Sequence, residues 1–245
     1  MNWMFPRSSG IHAPEPREWI LGALYLPVFL FFLNFAILTY FPALGFPLTE
    51  PRNYFFANLL YMTVNFAVML LIFRRTLWQS LREFEGKMLL SVLIGFGMCY
   101  GANLVLTTAY TVLDIMPENY NQEAVNSLLG GYPLAMTLCT VVLAPLAEEC
   151  LFRGVLFAPL ARRCLPAAYA LSMFLFAGMH VFQFLGSMTA ANTILCLSLY
   201  LPASFSLCWV YQKTGNIWAC IFLHMFINFQ SVLASLLRSL MQAFL

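Results

Sequence analysis

Two adjacent glutamates and an arginine stand out in the sequence because they lie inside a long apolar run. The run is Val-Val-Leu-Ala-Pro-Leu-Ala-Glu-Glu-Cys-Leu-Phe-Arg-Gly-Val-Leu-Phe, residues 141–157, and its charged members are Glu148, Glu149 and Arg153. A charge at the centre of a membrane-spanning helix costs about 2.5–3.5 kcal/mol on insertion scales. A charge retained at that cost indicates a functional site, so these residues are the first candidates for chemistry.

Helix geometry gives the two glutamates different surroundings. Glu149 and Arg153 are four residues apart, so they share a helix face and can pair. Glu148 is rotated by about 100° from its neighbour, and it can face a separate cavity as a general base. A structural ion pair between helices would also explain Glu149 and Arg153, but it would not need a second carboxylate. Both interpretations stay open for Glu149, and Pro145 is expected to kink the helix just before the pair.

Two of the three histidines lie in other apolar runs. His180 ends the sequence Phe-Ala-Gly-Met-His that begins at Phe176, and Asn228 follows His224 by one turn on the same helix face. A single histidine on an apolar helix face is commonly a structural residue that bonds a neighbouring helix. Two such histidines, together with an asparagine and a glutamate pair, favour one shared polar site.

The helices that carry these residues must lie in a membrane. Of the 245 residues, 62% are hydrophobic and 9% are charged, whereas a soluble domain has about 25% charged residues. Apolar runs of about 20 residues can each span the bilayer. We predict an all-α, polytopic transmembrane bundle of about seven spans in residues 19–245, after a cytoplasmic tail at 1–18. The spans are predicted at 19–41, 54–73, 88–112, 133–160, 167–184, 189–211 and 217–237.

The lysines and arginines predict the orientation of this bundle. They concentrate in the tail and in the loops after the second, fourth and sixth spans, and none lies between Asp114 and Tyr132. The positive-inside rule therefore predicts a cytoplasmic N-terminus, and the compact chain suggests a bacterial inner membrane. Glu148 and His180 then both lie roughly 20 Å from the cytoplasmic surface, so we expect a cavity that opens to the cytoplasm. Residues 78–87 are predicted to be an ordinary loop.

Composition excludes several other functions. The net charge is only +2, and no stripe of lysine and arginine is present, so no nucleic-acid partner is expected. The seven cysteines show no C-x-x-C spacing, which predicts neither a disulfide framework nor a zinc–thiolate site. No small-residue cleavage site follows the first apolar run, so we expect that run to stay in the mature protein. The expected partners are membrane lipid and a protein or peptide substrate.

The motifs Glu-Glu-x-x-x-Arg, Phe-x-x-x-His and His-x-x-x-Asn occur in this order on predicted spans. This ordered set resembles the CPBP family of intramembrane proteases, which includes the type II CAAX prenyl endopeptidases and the Abi-type bacteriocin-processing proteins. The resemblance covers residues 133–230 and implies an endopeptidase. Its substrate would be cleaved near the C-terminus or in a membrane-proximal part, and in some relatives it is lipid-modified. Arg153 would orient or neutralise Glu149, with Phe176 as a second supporting residue.

The resemblance also implies roles for the remaining motif residues. Glu148 would activate a water molecule with help from His180, while His224 and Asn228 would stabilise the oxyanion or hold the site together. No metal is favoured, because the sequence has no H-E-x-x-H helix. Zinc is the alternative cofactor, and Glu148, His180 and His224 would then be its ligands.

Two other kinds of function stay open at this point. One is a non-catalytic membrane binding or immunity protein that uses the same cavity, but a degenerate motif would then be expected. The other is a proton-coupled transporter, in which the buried glutamates and histidines would relay protons. Transporters commonly have repeated halves with helices broken at matched positions, and the sequence has no internal repeat.

Overall fold

The computed structural model describes residues 14–243 as a set of helices, with no β-strand in that part of the chain. Seven helices are long and apolar enough to cross a membrane, which confirms the predicted all-α bundle of seven spans. The spans are α1 Pro16–Ala43, α2 Pro51–Ile72, α4 Lys87–Val112, α6 Pro133–Ala161, α7 Leu165–Ser187, α8 Ala190–Thr214 and α9 Ile217–Gln242. Two shorter helices lie in the connections, α3 Arg74–Arg82 and α5 Tyr120–Gly131. Most of the predicted tail, residues 1–13, lies outside the described residues.

Several helix ends follow local signals in the sequence. Asn119 caps α5, because its side-chain oxygen accepts a hydrogen bond from the Gln122 amide at 3.1 Å. Thr189 caps α8 in the same way, by accepting from the Asn192 amide at 3.1 Å. Gly215 ends α8 with φ of 64°, a left-handed conformation that glycine adopts without a steric penalty. These caps fix the connections between successive spans.

The prediction of an ordinary loop at 78–87 is wrong in its first half, because α3 extends through Arg82. A carboxylate from another helix stabilises the start of α3. Glu18 of α1 is buried and accepts hydrogen bonds from the amides of Arg75 at 2.9 Å and Thr76 at 3.3 Å, and also from the Thr76 hydroxyl. A negative charge at a helix N-terminus satisfies free amides and favours the helix dipole.

The last turns of α3 hold the first turn of α9. Ser80 accepts a hydrogen bond from the Ile217 amide at 3.0 Å, and the Asn216 side chain donates to the Ser80 carbonyl at 2.6 Å. The Trp218 indole donates to the Leu77 carbonyl at 2.8 Å. Helix α3 therefore joins α1 to α9 at one end of the bundle, which we call the α3 end. The opposite end, where α5 lies, is the α5 end.

The span that carries the glutamate pair departs twice from α-helical geometry. It is π-helical over Cys139–Leu143 and again over Cys150–Phe157. The first π-helical turn directly precedes Pro145, whose missing N–H and bulky ring disrupt the regular hydrogen-bond ladder. The kink expected at this proline therefore takes the form of a widened turn.

The π-helical turns of α6 present backbone carbonyls to other spans. The Thr140 carbonyl accepts a hydrogen bond from the Asn228 side chain of α9 at 2.8 Å. The Val155 carbonyl accepts one from the Trp19 indole of α1 at 3.0 Å. Buried carbonyls outside a regular ladder need such partners, so these two bonds fix α6 against α9 and α1.

The helices around α8 pack more tightly than those at the edge of the bundle. In the most apolar window of each span, 44% of the residues are buried in α6 and α8, against 17% in α1 and α4. Gly95 lets α4 approach α8 and α9, because a Cβ at that position would lie 2.6 Å from Val210 and 2.9 Å from Leu223. The best-packed helices are therefore those that carry or surround the motif residues.

Candidate active site

Glu149 and Arg153 form an ion pair that is completely buried in α6. Arg153 Nη1 donates to Glu149 Oε1 at 3.2 Å, and Arg153 Nε lies 3.2 Å from Oε2, with both side chains 0% exposed. The second terminal nitrogen of Arg153 donates to the Ser204 carbonyl at 3.1 Å and the Ser204 hydroxyl at 3.3 Å. The guanidinium also lies 5.0 Å from the centre of the Phe176 ring, within the range of a cation–π contact. The pair thus links α6 to α7 and α8.

His224 of α9 lies between the two glutamates. Its Nδ1 is 2.8 Å from Glu149 Oε1, a hydrogen bond, and its Nε2 is 3.8 Å from Glu148 Oε2. Because an ionised carboxylate can only accept, Nδ1 carries the hydrogen in this bond. Nε2 of His224, which faces Glu148, therefore takes no part in the bond to Glu149.

Glu148 has different surroundings from its neighbour. Its side chain is 12% exposed, whereas that of Glu149 is 0% exposed. Its Oε2 is buried and has no hydrogen-bond partner among the described residues. Glu149 Oε2 also lacks a hydrogen bond, but it is paired with Arg153 Nε at 3.2 Å. Glu148 has no such arginine or lysine partner among the described residues, and it lies beside His224 of α9.

His180 lies at the end of the regular part of α7, with aromatic rings on its sides. Its Nδ1 is 2.8 Å from the Phe176 carbonyl, which can only accept, so Nδ1 carries the hydrogen and Nε2 has a free lone pair. The Tyr200 ring stacks on the imidazole, with centroids 4.5 Å apart and planes at 22°. The Phe176 ring contacts both His180 and His224, at centroid distances of 4.9 Å and 5.6 Å. Phe176 therefore separates the two histidines.

Asn228 lies one turn beyond His224, and its amide is engaged with the backbone. Its Nδ2 donates to the Thr140 carbonyl in the first π-helical turn of α6. An asparagine bonded in this way holds α9 against α6. The contact lies at Thr140, eight residues before Glu148 in the sequence. Of the two roles expected for Asn228, this contact favours the one that holds the site together.

The structure brings most of the motif residues into one connected group. Glu148, Glu149 and His224 are neighbours, and Phe176 connects this cluster to His180. No hydrogen bond joins His180 to Glu148 among the described residues, so the pairing expected between them would need a bridging molecule.

The residues of the alternative zinc site are not grouped as metal ligands in this structure. Within residues 14–243, no three histidine, cysteine or acidic side chains are close enough together to hold a metal ion. His224 bonds Glu149 and His180 bonds the Phe176 carbonyl, in both cases through Nδ1, which leaves Nε2 of each ring available as in many metal-binding histidines. The zinc set of Glu148, His180 and His224 therefore stays a prediction.

Two residues of the site were missed by sequence reasoning. Ser204 accepts from Arg153, and Tyr200 stacks on His180. Hydroxyl-bearing residues are common in membrane helices, where they bond their own backbone or a neighbour. Ser204 and Tyr200 lie on α8, which has no motif residue, so their distance along the sequence from the motifs does not predict a contact. Only the assembled bundle identifies them.

Two cavities lie away from the motif residues. One of about 240 Å³ lies at the α3 end, and the other, an apolar groove of about 410 Å³, lies between α4, α7 and α8. The first is lined by residues that include Glu15, Thr76 and Glu83, and the second by residues that include Met98, Met173 and Leu201. No motif residue lines either cavity, so the predicted opening to the cytoplasm stays a prediction.

The fold and the site together define a multi-span helical membrane protein with a buried glutamate–arginine–histidine cluster. Residues 130–230 match the family model described as type II CAAX prenyl endopeptidase Rce1-like. That stretch contains every motif residue from Glu148 to Asn228, so the resemblance read from the motifs is confirmed over it.

A curated relative supports the same assignment. The chain is 28% identical over 166 residues to YdiL of Bacillus subtilis, which is named as a candidate membrane peptidase. The match covers 66% of this chain and 64% of the relative, so the two are compared over less than two thirds of the relative's length. No solved structure matches the chain.

Proposed function

We propose that this protein is an intramembrane endopeptidase in which Glu148 activates the attacking water. The observation that carries the proposal is the contrast within the glutamate pair. Glu149 is neutralised by Arg153, whereas Glu148 has no arginine or lysine partner among the described residues and lies 3.8 Å from Nε2 of His224. The family model at 130–230 and the candidate peptidase YdiL support the same class of reaction.

In the proposed reaction, Glu148 takes a proton from water as the water oxygen attacks the scissile carbonyl carbon. The electron pair of the C=O bond moves to oxygen and gives a tetrahedral oxyanion. When this collapses, the C–N bond breaks and Glu148 returns the proton to the leaving amine. One water is consumed, and the products are a carboxylic acid and an amine.

The histidines would orient the reactants in this scheme. The free Nε2 of His180 can accept the second hydrogen of the attacking water. His224, held by Glu149 through Nδ1, can bond Glu148 or the oxyanion through Nε2. Because bulk water is scarce at this depth, each such hydrogen bond stabilises developing charge more than it would in solution.

The substrate in this proposal is a protein or peptide cleaved near its C-terminus or close to the membrane. The family description names prenyl endopeptidases, and a lipid-modified C-terminal segment is accordingly a substrate class to test here. The protein would act in the bacterial inner membrane with its N-terminus in the cytoplasm. The proposed reaction uses no metal, because Glu148 itself takes the proton from water.

Comparison of peptides released in membranes would test the proposal and reveal the substrate. Membranes that contain the wild type, Glu148→Gln or Glu123→Gln would be profiled for new peptide termini by mass spectrometry. Glu123 is exposed on α5, so its variant removes a carboxylate without touching the site. We expect the same new termini with the wild type and Glu123→Gln and none with Glu148→Gln. Identical profiles for all three proteins would refute the proposed function.

A further inference from the structure

Tyr200 stacks on His180, and the centres of these two rings are closer together than those of His180 and Phe176. The two rings are nearly parallel, at 22°, with centroids 4.5 Å apart. On its own helix, the imidazole is held at only one atom, by the bond from Nδ1 to the Phe176 carbonyl. One hydrogen bond leaves the ring free to tilt about it, whereas a ring stacked on its face restricts that tilt.

The phenol of Tyr200 is anchored at its far end. Its hydroxyl donates to Asn119 Oδ1 at 3.0 Å and accepts from the Asn121 side chain at 3.2 Å. Asn119 is itself fixed, because the same oxygen caps α5 through the Gln122 amide. A half-buried tyrosine with both its donor and its acceptor satisfied has a defined ring position. The connection between α4 and α6 therefore determines where the ring that covers His180 lies.

We propose that Tyr200 is a positioning residue for hydrolysis, which holds the His180 ring so that Nε2 faces the attacking water. This inference rests on the proposed function. The geometry of a reacting group must be held closely, because a displacement of about 1 Å can cost on the order of 100-fold in rate.

Two substitutions separate the parts of this role. Tyr200→Phe keeps the stacked ring and removes the hydroxyl anchor, while Tyr200→Leu removes both. The matched control is Tyr110→Phe, because Tyr110 also bonds α8 through its hydroxyl, at 2.6 Å from Ser198, away from the site. For a peptide that the wild type cleaves and Glu148→Gln does not, we expect kcat to fall about threefold in Tyr200→Phe and roughly 30-fold in Tyr200→Leu. KM should change little, and the control should match the wild type.

A spectroscopic measurement tests the contact without using activity. In protein labelled at histidine and held in lipid nanodiscs, the stacked phenol should shield the His180 ring protons in the NMR spectrum. We expect those signals to move downfield in Tyr200→Leu, to stay close to their place in Tyr200→Phe, and to be unchanged in Tyr110→Phe. His224 has no ring contact with Tyr200, so its signals provide the internal reference.

The outcomes distinguish this inference from the proposed function. If the His180 signals do not move in Tyr200→Leu, the positioning role is wrong. It is also wrong if the kcat of Tyr200→Leu equals that of the control Tyr110→Phe. Absence of peptide hydrolysis by the wild type, with the expected NMR shifts, would instead overturn the proposed function and with it the catalytic purpose of the contact.

Discussion

Two glutamates that are adjacent in the sequence occupy contrasting surroundings in this protein. Glu149 points into the core, where Arg153 and His224 occupy its oxygens and its side chain has no exposed surface. Glu148 points to another face, is 12% exposed and has no arginine or lysine partner among the described residues. The rotation of about 100° between successive residues of a helix is enough to separate them.

This contrast shows how one buried carboxylate can support another. Removing a single partner from a buried ion pair leaves an uncompensated charge and is strongly destabilising. Glu149 and Arg153 compensate each other, and their remaining hydrogen-bonding groups hold His224 and Ser204 in place. In the proposed mechanism, structural and chemical demands therefore fall on different residues of the pair, and the following predictions test that division.

The largest expected effect on activity follows substitution of Glu148. Glu148→Gln keeps the size of the side chain but cannot take a proton from water, so we expect kcat to fall about 10³-fold. Because Glu148 has no arginine or lysine partner among the described residues, the free energy of unfolding should change by about 1 kcal/mol or less. Peptide cleavage and thermal unfolding in detergent micelles would measure the two quantities. Retained activity would remove Glu148 as the base.

The largest expected effect on stability follows substitution of Glu149. Glu149→Gln leaves Arg153 as a buried charge without its carboxylate, which should lower the free energy of unfolding by about 3–5 kcal/mol. The double variant Glu149→Gln, Arg153→Gln removes both charges and should regain a large part of this loss. Unfolding of all three proteins in the same micelles would measure the coupling. Equal stability of Glu149→Gln and Glu148→Gln would contradict the division between the two glutamates.

A smaller effect is expected at Asn228, whose amide is bonded to a backbone carbonyl of α6. Asn228→Ala should lower stability by about 1 kcal/mol through loss of that bond, and kcat should fall by less than the roughly 10²–10³-fold seen when an oxyanion donor is removed. Ser231→Ala is the control, because Ser231 lies on the same helix and bonds Gln122 away from the site. A kcat loss as large as that of an oxyanion donor would assign Asn228 to the reaction itself.

Chelation is expected to have the smallest effect. Treatment with 1,10-phenanthroline should leave peptide cleavage unchanged, since Glu148 rather than a metal activates the water in the proposed mechanism. Loss of activity that added zinc restores would replace this mechanism with a metal-dependent one. In that case Glu148 would be a metal ligand, and Glu149 would remain the structural partner of Arg153.

Local features of this protein were predictable from its sequence, whereas features made by distant residues were not. The seven spans follow from apolar length, and the contact of Glu149 with Arg153 follows from their spacing on one helix. The helix α3 was predicted as a loop because its N-terminus depends on Glu18, a carboxylate from a different span. Tyr200 was missed for the same reason, since the ring it covers lies on another helix.

The widened turns of α6 show a different limit of sequence reasoning. Pro145 indicates a disturbance in the helix, but it does not predict that a π-helical turn will form or that Asn228 will bond a carbonyl there. The second π-helical turn, over Cys150–Phe157, likewise ends two residues before a proline, Pro159, whose missing N–H leaves the Val155 carbonyl without its regular i+4 donor. That carbonyl accepts instead from the Trp19 indole of α1, which only the packed bundle brings into contact.

The location of His224 on the last described span has a consequence for biosynthesis. Glu149 and Arg153 lie on one helix, so α6 can neutralise its own buried charges as it enters the membrane. His224 can join them only after α9 has been synthesised and held by α3 through Ser80. The ribosome therefore completes the Glu149–Arg153 pair before the contact of Glu149 with His224 can form, and partly made chains would lack that contact.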